Sequence, residues 1–419
     1  MSLLNKQKKL NHVHYRIFGI SWAGWVFDFY DLILFTFLIL PIGYELHLST
    51  IQLSYALSAS ILAAAVGGVV FGVLADKYGR KPVLQWTIII YSVGALLCVF
   101  SVNIETLIIF RIITGFGVGG EWATGQTYVN ETFPANLRGK FGSLLQTGNP
   151  VGFILAALVG GFLAPVIGWR EAFFVSVVPA VIVIFIRRKI PESDVWIMNI
   201  TTGKNQVKLS LLNKKNQFFE LFTEKYRKLF LKALILAILG SSAYWFTYSW
   251  LPTYLLEQNI SISKSALWII VNQVGGIIGL LIFGYVADKF GRRPAFSSFA
   301  TTMAVGLIMI TVFWTNIQAY PPLIFIFMFI IGIGTGIYGG YGPVVTENFP
   351  TEIRNTALGA GFNLARGTQF LTPIILAVIA TYYGLGSGIF IGSLFALSVA
   401  IFIWTFPETK GIELESLEQ

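Results

Sequence analysis

Two aspartates three positions apart, Asp28 and Asp31, lie within a long apolar stretch near the start of the chain. On a helix this spacing puts both carboxyl groups on one face, about 60° apart. Two carboxylates in a poorly hydrated cavity do not both ionise easily, so one of them can bind and release a proton near neutral pH. The pair predicts a proton-coupling site, with Asp28 preferred over Asp31. The alternative is a structural pair that hydrogen-bonds a neighbouring helix.

Three other ionisable residues also fall inside apolar stretches, where a charge costs roughly 2.5–3.5 kcal/mol and therefore marks a candidate for function. Glu121 is a second candidate for proton coupling, with a helix-locking role as the alternative. The guanidinium of Arg366 stays charged and can bind a carboxylate through two parallel hydrogen bonds, so it predicts an anionic substrate. Its alternative is an ion pair with Asp28 or Asp31. Arg111, nearer the end of its stretch, fits a packing role as well as transport chemistry.

Amide and tyrosine side chains within apolar stretches suit hydroxylated or carboxylated solutes, although such groups also join membrane helices. The candidates for solute binding are Gln146, Asn149, Tyr244, Tyr248, Asn272, Gln273, Tyr338, Tyr341, Asn363 and Gln369. No nucleophile–base pair occurs, and no glycine loop is followed by Lys-Ser/Thr. The single cysteine, Cys98, excludes a disulfide within the chain and a cysteine metal site. We expect no metal, no cofactor and no enzymatic activity.

The elements that position these residues are membrane helices. Of the 419 residues, 55% are hydrophobic and 12% are charged, and the mean hydropathy is +0.72. Soluble domains carry about 25% charged residues, and a membrane helix needs about 20 mostly apolar residues. Twelve stretches qualify, at residues 17–41, 53–74, 83–102, 106–128, 141–164, 172–187, 230–255, 266–287, 295–313, 322–345, 356–381 and 386–406.

The net charge of +9 would fit nucleic-acid binding, but its distribution contradicts that function. Of the 29 Lys and Arg residues, Arg170 and Lys264 alone fall in loops on one side, Arg111 and Arg366 fall inside spans, and all the others fall on the opposite side. This asymmetry is typical of a protein in a bilayer and predicts that both termini are cytoplasmic. We expect a multi-pass protein of the cell membrane with no nucleic-acid partner.

The two halves of the chain repeat each other. Gly72-Val-Leu-Ala-Asp-Lys-Tyr-Gly-Arg-Lys-Pro82 recurs as Gly284-Tyr-Val-Ala-Asp-Lys-Phe-Gly-Arg-Arg-Pro294, offset by 212 positions. Glu131-Thr-Phe-Pro recurs as Glu347-Asn-Phe-Pro, offset by 216. Parallel repeats of six spans predict an all-α membrane protein of twelve helices in two pseudo-symmetric bundles, with a solute site at mid-depth between them. The boundaries are 1–190, a cytoplasmic central loop at 191–229, and 230–419.

At these residues the chain resembles the major facilitator superfamily, over its whole length. The doubled Gly-x-x-x-Asp-x-x-Gly-Arg-Arg/Lys-Pro loop is the most specific feature. The segment Trp25-Val-Phe-Asp28-Phe-Tyr-Asp31, with Gly119-Gly-Glu-Trp122, is similar to the branch of sialate, lactate and aromatic-acid proton symporters. Monomeric function is the expectation that this resemblance implies.

The resemblance also implies a latch at the cytoplasmic face. Asp76 and Asp288 would meet helix ends of the opposite half, and Arg80 and Arg292 would pair with Glu131 and Glu347. The alternative is that these loops only orient the helices through their positive charge. The full set of implied gate residues is Asp76, Arg80, Glu131, Arg138, Asp288, Arg292, Glu347 and Arg354.

The sequence therefore predicts a secondary carrier that moves a small carboxylate with protons by alternating access. The alternative is a proton-coupled carrier of a sugar or other neutral metabolite. Sodium coupling and the direction of transport stay open, because carboxylates can bind either ion.

Overall fold

The computed structural model describes residues 10–134, 137–175, 177, 190–194, 196–198 and 218–410. The side chains of some helical residues, among them Asp76, Trp122, Arg138 and Arg354, lie outside this description. The described residues are almost entirely helical. They belong to two compact units, Met1–Lys208 and Leu209–Gln419, whose boundary falls inside the predicted central loop.

Long apolar helices make up the N-terminal unit, and side-chain caps mark where several of them begin. Asn11, Ser49 and Asn103 each accept a hydrogen bond from a backbone N–H of the following first turn, which satisfies a group that the helix leaves open. The helices are α1 (His12–Leu46), α2 (Thr50–Tyr78), α3 (Arg80–Cys98), α4 (Ile104–Thr132), α5 (Arg138–Gln146), α6 (Gly148–Leu158) and α7 (Ala164–Ile167), with a π-helical turn at Val159–Leu163.

The C-terminal unit repeats this order. Its helices are α8 (Arg227–Tyr248), α9 (Leu251–Glu257), α10 (Ile262–Phe290), α11 (Arg292–Thr311), α12 (Trp314–Ile317), α13 (Pro321–Gly334), α14 (Tyr341–Thr346), α15 (Thr351–Thr368), α16 (Leu371–Tyr383) and α17 (Leu385–Phe402). Short 3₁₀ turns lie at Thr335–Gly339 and Ile403–Thr405. Helices α2 and α10 both end at a glycine, Gly79 and Gly291, with φ of 104° and 106°, a conformation that side chains disfavour.

Ten helical segments of the described residues are long and apolar enough to cross a membrane. Ten of the twelve predicted spans correspond to these segments. The predicted span at 106–128 is the 29-residue helix α4, which is long enough to cross a bilayer although it is not among the ten. Most of the predicted span at 172–187, and most of the central loop at 191–229, lies outside the described residues.

The same helix pairs pack closely in both units. In the N-terminal unit α2 and α3 pack against α4, and in the C-terminal unit α10 and α11 pack against α13. A Cβ atom on Gly115 would collide with the backbone oxygen of Ser60, and one on Gly332 would collide with that of Asn272. Small residues let membrane helices approach to backbone contact. Ser60 and Asn272, offset by 212 positions, therefore occupy corresponding places in the two units.

Candidate functional site

A buried ion pair joins α1 to α4 in the N-terminal unit. Arg111 Nη1 donates to Asp31 Oδ2 at 2.9 Å, and the side chains are 0% and 2% exposed. The other carboxylate oxygen, Asp31 Oδ1, and the other terminal nitrogen, Arg111 Nη2, have no hydrogen-bond partner among the described residues. The pair is therefore held by a single hydrogen bond.

Arg111 is also fixed from two other directions. Its Nε donates to Ser60 Oγ of α2 at 2.9 Å, and its guanidinium carbon lies 4.7 Å from the ring centroid of Phe35. Phe35 follows Asp31 by one helical turn, so α1 supplies both an anion and an aromatic face. Sequence reasoning left Arg111 between packing and transport chemistry. The missing information was the register between α1 and α4, which is set by tertiary packing.

The other carboxylates predicted for proton coupling lie in the same unit. Asp28 is 0% exposed, three residues before Asp31 on α1. Glu121 is 2% exposed, and its Oε1 accepts a hydrogen bond from Thr87 Oγ1 of α3 at 2.6 Å. Glu121 follows Arg111 by ten residues on α4, which is about 15 Å along a helix axis. The structure thus brings Asp31 to Arg111, whereas Glu121 belongs to a separate contact with α3.

Amide and tyrosine candidates converge in the C-terminal unit. Tyr248 donates to Asn272 Oδ1 at 2.7 Å, Gln273 Nε2 donates to the same oxygen at 3.1 Å, and Asn272 Nδ2 donates to the backbone oxygen of Met328 at 2.8 Å. Tyr244 stacks at a tilt on Tyr248, with ring centroids 4.6 Å apart. The result is a buried neutral network that links α8, α10 and α13.

Tyr338 extends this network on the 3₁₀ turn that follows α13. Its hydroxyl donates to the backbone oxygen of Gly240 at 2.7 Å, and its ring meets Tyr244 edge to face at 5.4 Å. Tyr341 lies three residues further, with a buried hydroxyl that has no hydrogen-bond partner among the described residues and that approaches Gly361 of α15 closely. Both tyrosines therefore lie at the 3₁₀ turn that separates α13 from α14.

The candidates of span eleven lie on α15 and at the break that follows it. Arg366 and Asn363 are half-buried, and Asn363 Nδ2 donates to the backbone oxygen of Gly359 at 2.9 Å. Gln369, 1% exposed, sits between α15 and α16, where its Oε1 accepts from Thr372 at 3.0 Å and from Ser242 of α8 at 3.4 Å. Gln369 thus ties the break to α8.

Breaks in the helices coincide with many of the neutral candidates. Gln146 and Asn149, both half-buried, flank the break between α5 and α6, where Trp22 Nε1 donates to Thr147 Oγ1 at 3.0 Å. Tyr248 ends α8 just before α9 begins, and Gln369 separates α15 from α16. Discontinuous membrane helices are the usual origin of solute and ion sites in carriers.

Corresponding positions contact a charged side chain in one unit and neutral groups in the other. Ser60 Oγ accepts from Arg111 Nε and lies 3.2 Å from the backbone oxygen of Arg111. At the matching position Asn272 donates to the backbone of Met328 and accepts from Tyr248. At these corresponding positions the N-terminal unit therefore holds an ion pair, whereas the C-terminal unit holds neutral hydrogen bonds.

A second cluster in each unit lies on the side predicted to be cytoplasmic. Arg80 forms two hydrogen bonds with Glu131, at 3.0 and 2.7 Å, and Arg292 forms two with Glu347, at 3.1 and 2.6 Å. Arg292 also donates to Asp288 at 2.6 Å. The pairing that the resemblance implied is present in both units, and the role of these residues as a gate stays a prediction. The side chains of Asp76, Arg138 and Arg354 lie outside the described residues.

Each cluster is closed by a Pro-Glu-Ser/Thr segment. Glu192 accepts from the backbone N–H groups of Arg80 and Lys81 at 3.0 and 3.1 Å, and Ser193 Oγ donates to Glu131 at 2.6 Å. Glu408 accepts from the backbone of Arg292 and Arg293 at 2.7 and 3.0 Å. A carboxylate at a helix N-terminus is stabilised by the exposed N–H groups and the helix dipole.

Burial and hydrogen bonding act in opposite directions on Glu408. Burial raises its pKa, but four backbone N–H bonds, from Arg292, Arg293, Lys410 and Thr409, outweigh burial and lower the pKa below its ordinary value. Among the described residues no group of three or more His, Cys, Asp or Glu could hold a metal ion.

Comparisons with known proteins agree on one class. The chain matches the family described as "Sugar (and other) transporter" over residues 28–419. It is similar to the sialic acid transporter NanX of Escherichia coli strain K12, with 31% identity over 92% of this chain and 92% of that protein. It is also similar to the niacin transporter NiaP of Acinetobacter baylyi, with 28% identity over 96% of each. Among solved structures it resembles the inward open xylose transporter XylE from E. coli, with TM-score 0.78 and 21% identity over 97% of this chain and 99% of that one.

Proposed function

Because the chain belongs to the sugar (and other) transporter family of the major facilitator superfamily, we propose that it is a secondary active transporter that moves a small organic anion together with protons. In this scheme the two bundles alternately open a central solute site to either side of the membrane. The proposed setting is the cell membrane, with cytoplasmic termini and a functional monomer.

Two observations support a carboxylate as the solute. The named relatives carry sialic acid and niacin, both of which bear a carboxylate at neutral pH. Arg366 supplies a half-buried guanidinium about ten residues into span eleven, beside the break at Gln369. A guanidinium can bind a carboxylate through two parallel hydrogen bonds and keeps its charge at all physiological pH values. Asn363 and Gln369, on the same span, are proposed to add hydrogen bonds.

The observation that carries proton coupling is the buried Asp31–Arg111 pair. Two unit charges about 4 Å apart attract by roughly 4 kcal/mol at an effective dielectric constant of 20. A proton on Asp31 would remove this attraction between α1 and α4, and loss of the proton would restore it. Proton binding would thus change how firmly two helices of the N-terminal unit are joined. This pairing favours Asp31 over Asp28 as the coupling residue, with Asp28 and Glu121 as further candidates.

The neutral network of the C-terminal unit supports a role in binding the body of the solute. It also supports a neutral sugar as the alternative substrate class. Tyr244, Tyr248, Asn272, Gln273 and Tyr338 offer several donors and acceptors that suit hydroxyl groups of a solute. With Tyr341, Gln146 and Asn149 they would contact the solute body while Arg366 binds its carboxylate. The same network would also suit a neutral sugar, which is the alternative substrate class.

The cytoplasmic clusters are proposed to act as gates. Bidentate Arg–carboxylate pairs are the strong form of this interaction, and the two pairs lie at equivalent places in the units. Arg80 with Glu131, and Arg292 with Glu347 and Asp288, would hold the cytoplasmic ends of the spans together when that side is closed. Asp76, Arg138 and Arg354 are proposed members of the same gates.

An uptake screen in proteoliposomes tests the proposal. Labelled sialate, nicotinate and xylose are offered with and without an inward proton gradient. We expect gradient-driven accumulation of at least one of the two acids, and loss of that uptake in Arg366→Ala, with partial uptake in Arg366→Lys. Equal uptake of the acid by wild type and Arg366→Ala would contradict the anion site. Accumulation of xylose without either acid would favour the neutral-sugar alternative.

A further inference from the structure

Three of the arginine–carboxylate pairs among the described residues differ in how the arginine is used. Arg80 and Arg292 each bind a glutamate through Nε and Nη2 together, the two-pronged arrangement. Arg111 binds Asp31 through Nη1 alone, although Asp31 Oδ1 has no hydrogen-bond partner among the described residues. The Asp31–Arg111 pair is therefore held by one hydrogen bond, whereas each of the two cytoplasmic pairs is held by two.

The reason lies on α2. In the other two pairs Nε and Nη2 form the fork, but Arg111 Nε donates to Ser60 Oγ at 2.9 Å, so that the Nε edge of the guanidinium faces α2 while Nη1 faces Asp31. Ser60 is 0% exposed, and its hydroxyl lies 3.2 Å from the backbone oxygens of both Ala56 and Arg111. The hydroxyl hydrogen is used by one of these carbonyl groups, which leaves an oxygen lone pair for Nε.

Close helix packing keeps Ser60 in this position. The backbone of Ser60 lies against Gly115 so closely that a Cβ atom on the glycine would collide with it. Because α2 and α4 are in backbone contact here, Ser60 cannot withdraw from Arg111. Phe35 lies against one face of the guanidinium.

We propose that Ser60 is a positioning residue that holds the Nε edge of Arg111 toward α2, presents Nη1 to Asp31, and so keeps the buried pair single-bonded and releasable. The inference rests on the proposed proton coupling and deepens it. Without Ser60 the guanidinium would turn its Nε edge toward Asp31 and form the two-pronged pair seen at the cytoplasmic clusters. A carboxylate held in that way needs a higher proton concentration before it releases the arginine.

Few other titratable groups of the described residues can set the pH response of this pair. From α4 the facing group is Arg111, from α3 it is the Cys98 thiol, which interacts with both Asp31 and Arg111, and on α1 itself it is Asp28. The α6 helix and the π-helical turn, which also pack on α1, carry no titratable side chain. The titratable residues of α2 are Tyr55, which is exposed, and Asp76, Lys77 and Tyr78, which lie at the C-terminal end of the helix. The remaining carboxylates of α4 are Glu105, Glu121 and Glu131, and α5 begins with Arg138 and Lys140.

The test compares Ser60→Ala with wild type in proteoliposomes, using labelled nicotinate or sialate, whichever acid the wild type accumulates more. Uptake is measured at external pH 5 to 8, together with exchange of the acid at equal pH on both sides. We expect the pH of half-maximal uptake to move toward acid by about one unit, a tenfold change in proton concentration. The maximal rate at pH 7 should fall several-fold while the KM for exchange stays within about twofold of wild type.

A matched control is available on the same helix. Ser54 is also 0% exposed, but its hydroxyl donates to the backbone oxygen of Ile51 within α2, so Ser54→Ala should leave the pH profile unchanged. Ser60→Thr keeps the hydroxyl acceptor and should retain the wild-type pH profile of uptake. Should Ser60→Ala fail to fold, Ser60→Cys keeps the side-chain volume, and its weakly accepting thiol predicts the same acid shift.

The outcomes separate this inference from the proposed function. If the wild type accumulates neither acid in a pH-dependent way, the proposed coupling is wrong and the role of Ser60 falls with it. If wild-type uptake depends on pH but the profiles of Ser60→Ala and Ser60→Cys superimpose on it, the positioning role alone is wrong. An alkaline shift would also overturn it, because that result would mean that Ser60 strengthens the pair.

Discussion

Removing Asp31 should destabilise the N-terminal unit through the arginine that it leaves behind. Arg111 is 0% exposed and its described anionic partner is Asp31, so Asp31→Ala leaves a buried charge without a counter-ion. Breaking a buried ion pair in this way costs about 3–5 kcal/mol. Arg111 keeps its hydrogen bond to Ser60 and its contact with Phe35, worth about 2 kcal/mol for a desolvated cation on an aromatic ring. We therefore expect a loss near the lower end, about 3 kcal/mol.

Thermal unfolding of the purified protein in detergent measures this loss. At roughly 2–4 °C per kcal/mol for a unit of about 200 residues, the melting temperature should fall by about 6–12 °C. The double variant Asp31→Ala/Arg111→Leu removes both charges and should recover most of the loss, because an apolar replacement of a buried pair is often neutral. A melting temperature of Asp31→Ala within about 1 °C of wild type would refute the reasoning. So would a double variant that melts below the single one.

Two further perturbations probe other sites. Tyr248→Phe removes the hydroxyl that donates to Asn272. The KM of the transported acid should rise about tenfold, while the pH dependence of uptake stays unchanged. An altered pH profile with a constant KM would contradict the assignment of solute binding to the C-terminal unit and of proton coupling to the N-terminal unit. Glu408 has a lowered pKa in the folded protein. Its ionised form therefore stabilises the fold fully above about pH 4.3, the ordinary pKa of a glutamate. This stabilisation is lost as the pH falls through the lowered pKa. Melting temperatures between pH 3 and 7 should therefore show a shallower acid decline in Glu408→Gln than in wild type, and parallel curves would contradict the capping role.

Hydropathy, charge and the repeats were enough to predict the architecture. Long apolar runs determine membrane helices because backbone hydrogen bonds must be made within the segment. The recurring loops at Asp76 and Asp288 indicated two similar units, and the bidentate pairs Arg80–Glu131 and Arg292–Glu347 follow from that likeness. The helix that begins at Arg138 and breaks at Thr147 was predicted as one continuous span, because its hydropathy does not show the break.

The partner of Asp31 could not be predicted in the same way. Asp31 and Arg111 are 80 positions apart, and their contact depends on the register between α1 and α4. That register follows from close approaches such as Ser60 against Gly115, which are properties of packed helices and not of any one segment. The sequence accordingly favoured Asp28 and left Arg111 undecided. The correspondence of Ser60 and Asn272 likewise depends on the backbone contact that each makes with a glycine of a neighbouring helix.

Proton movement driven by the solute is the most direct test of the central claim. Nicotinate or sialate is added to proteoliposomes in weakly buffered medium without any imposed gradient, and the external pH is followed. Entry of the anion with protons predicts an immediate alkaline shift of the medium that is absent in Asp31→Asn, although this variant still exchanges the acid. Uptake of the labelled acid by wild type without any pH change would contradict the account.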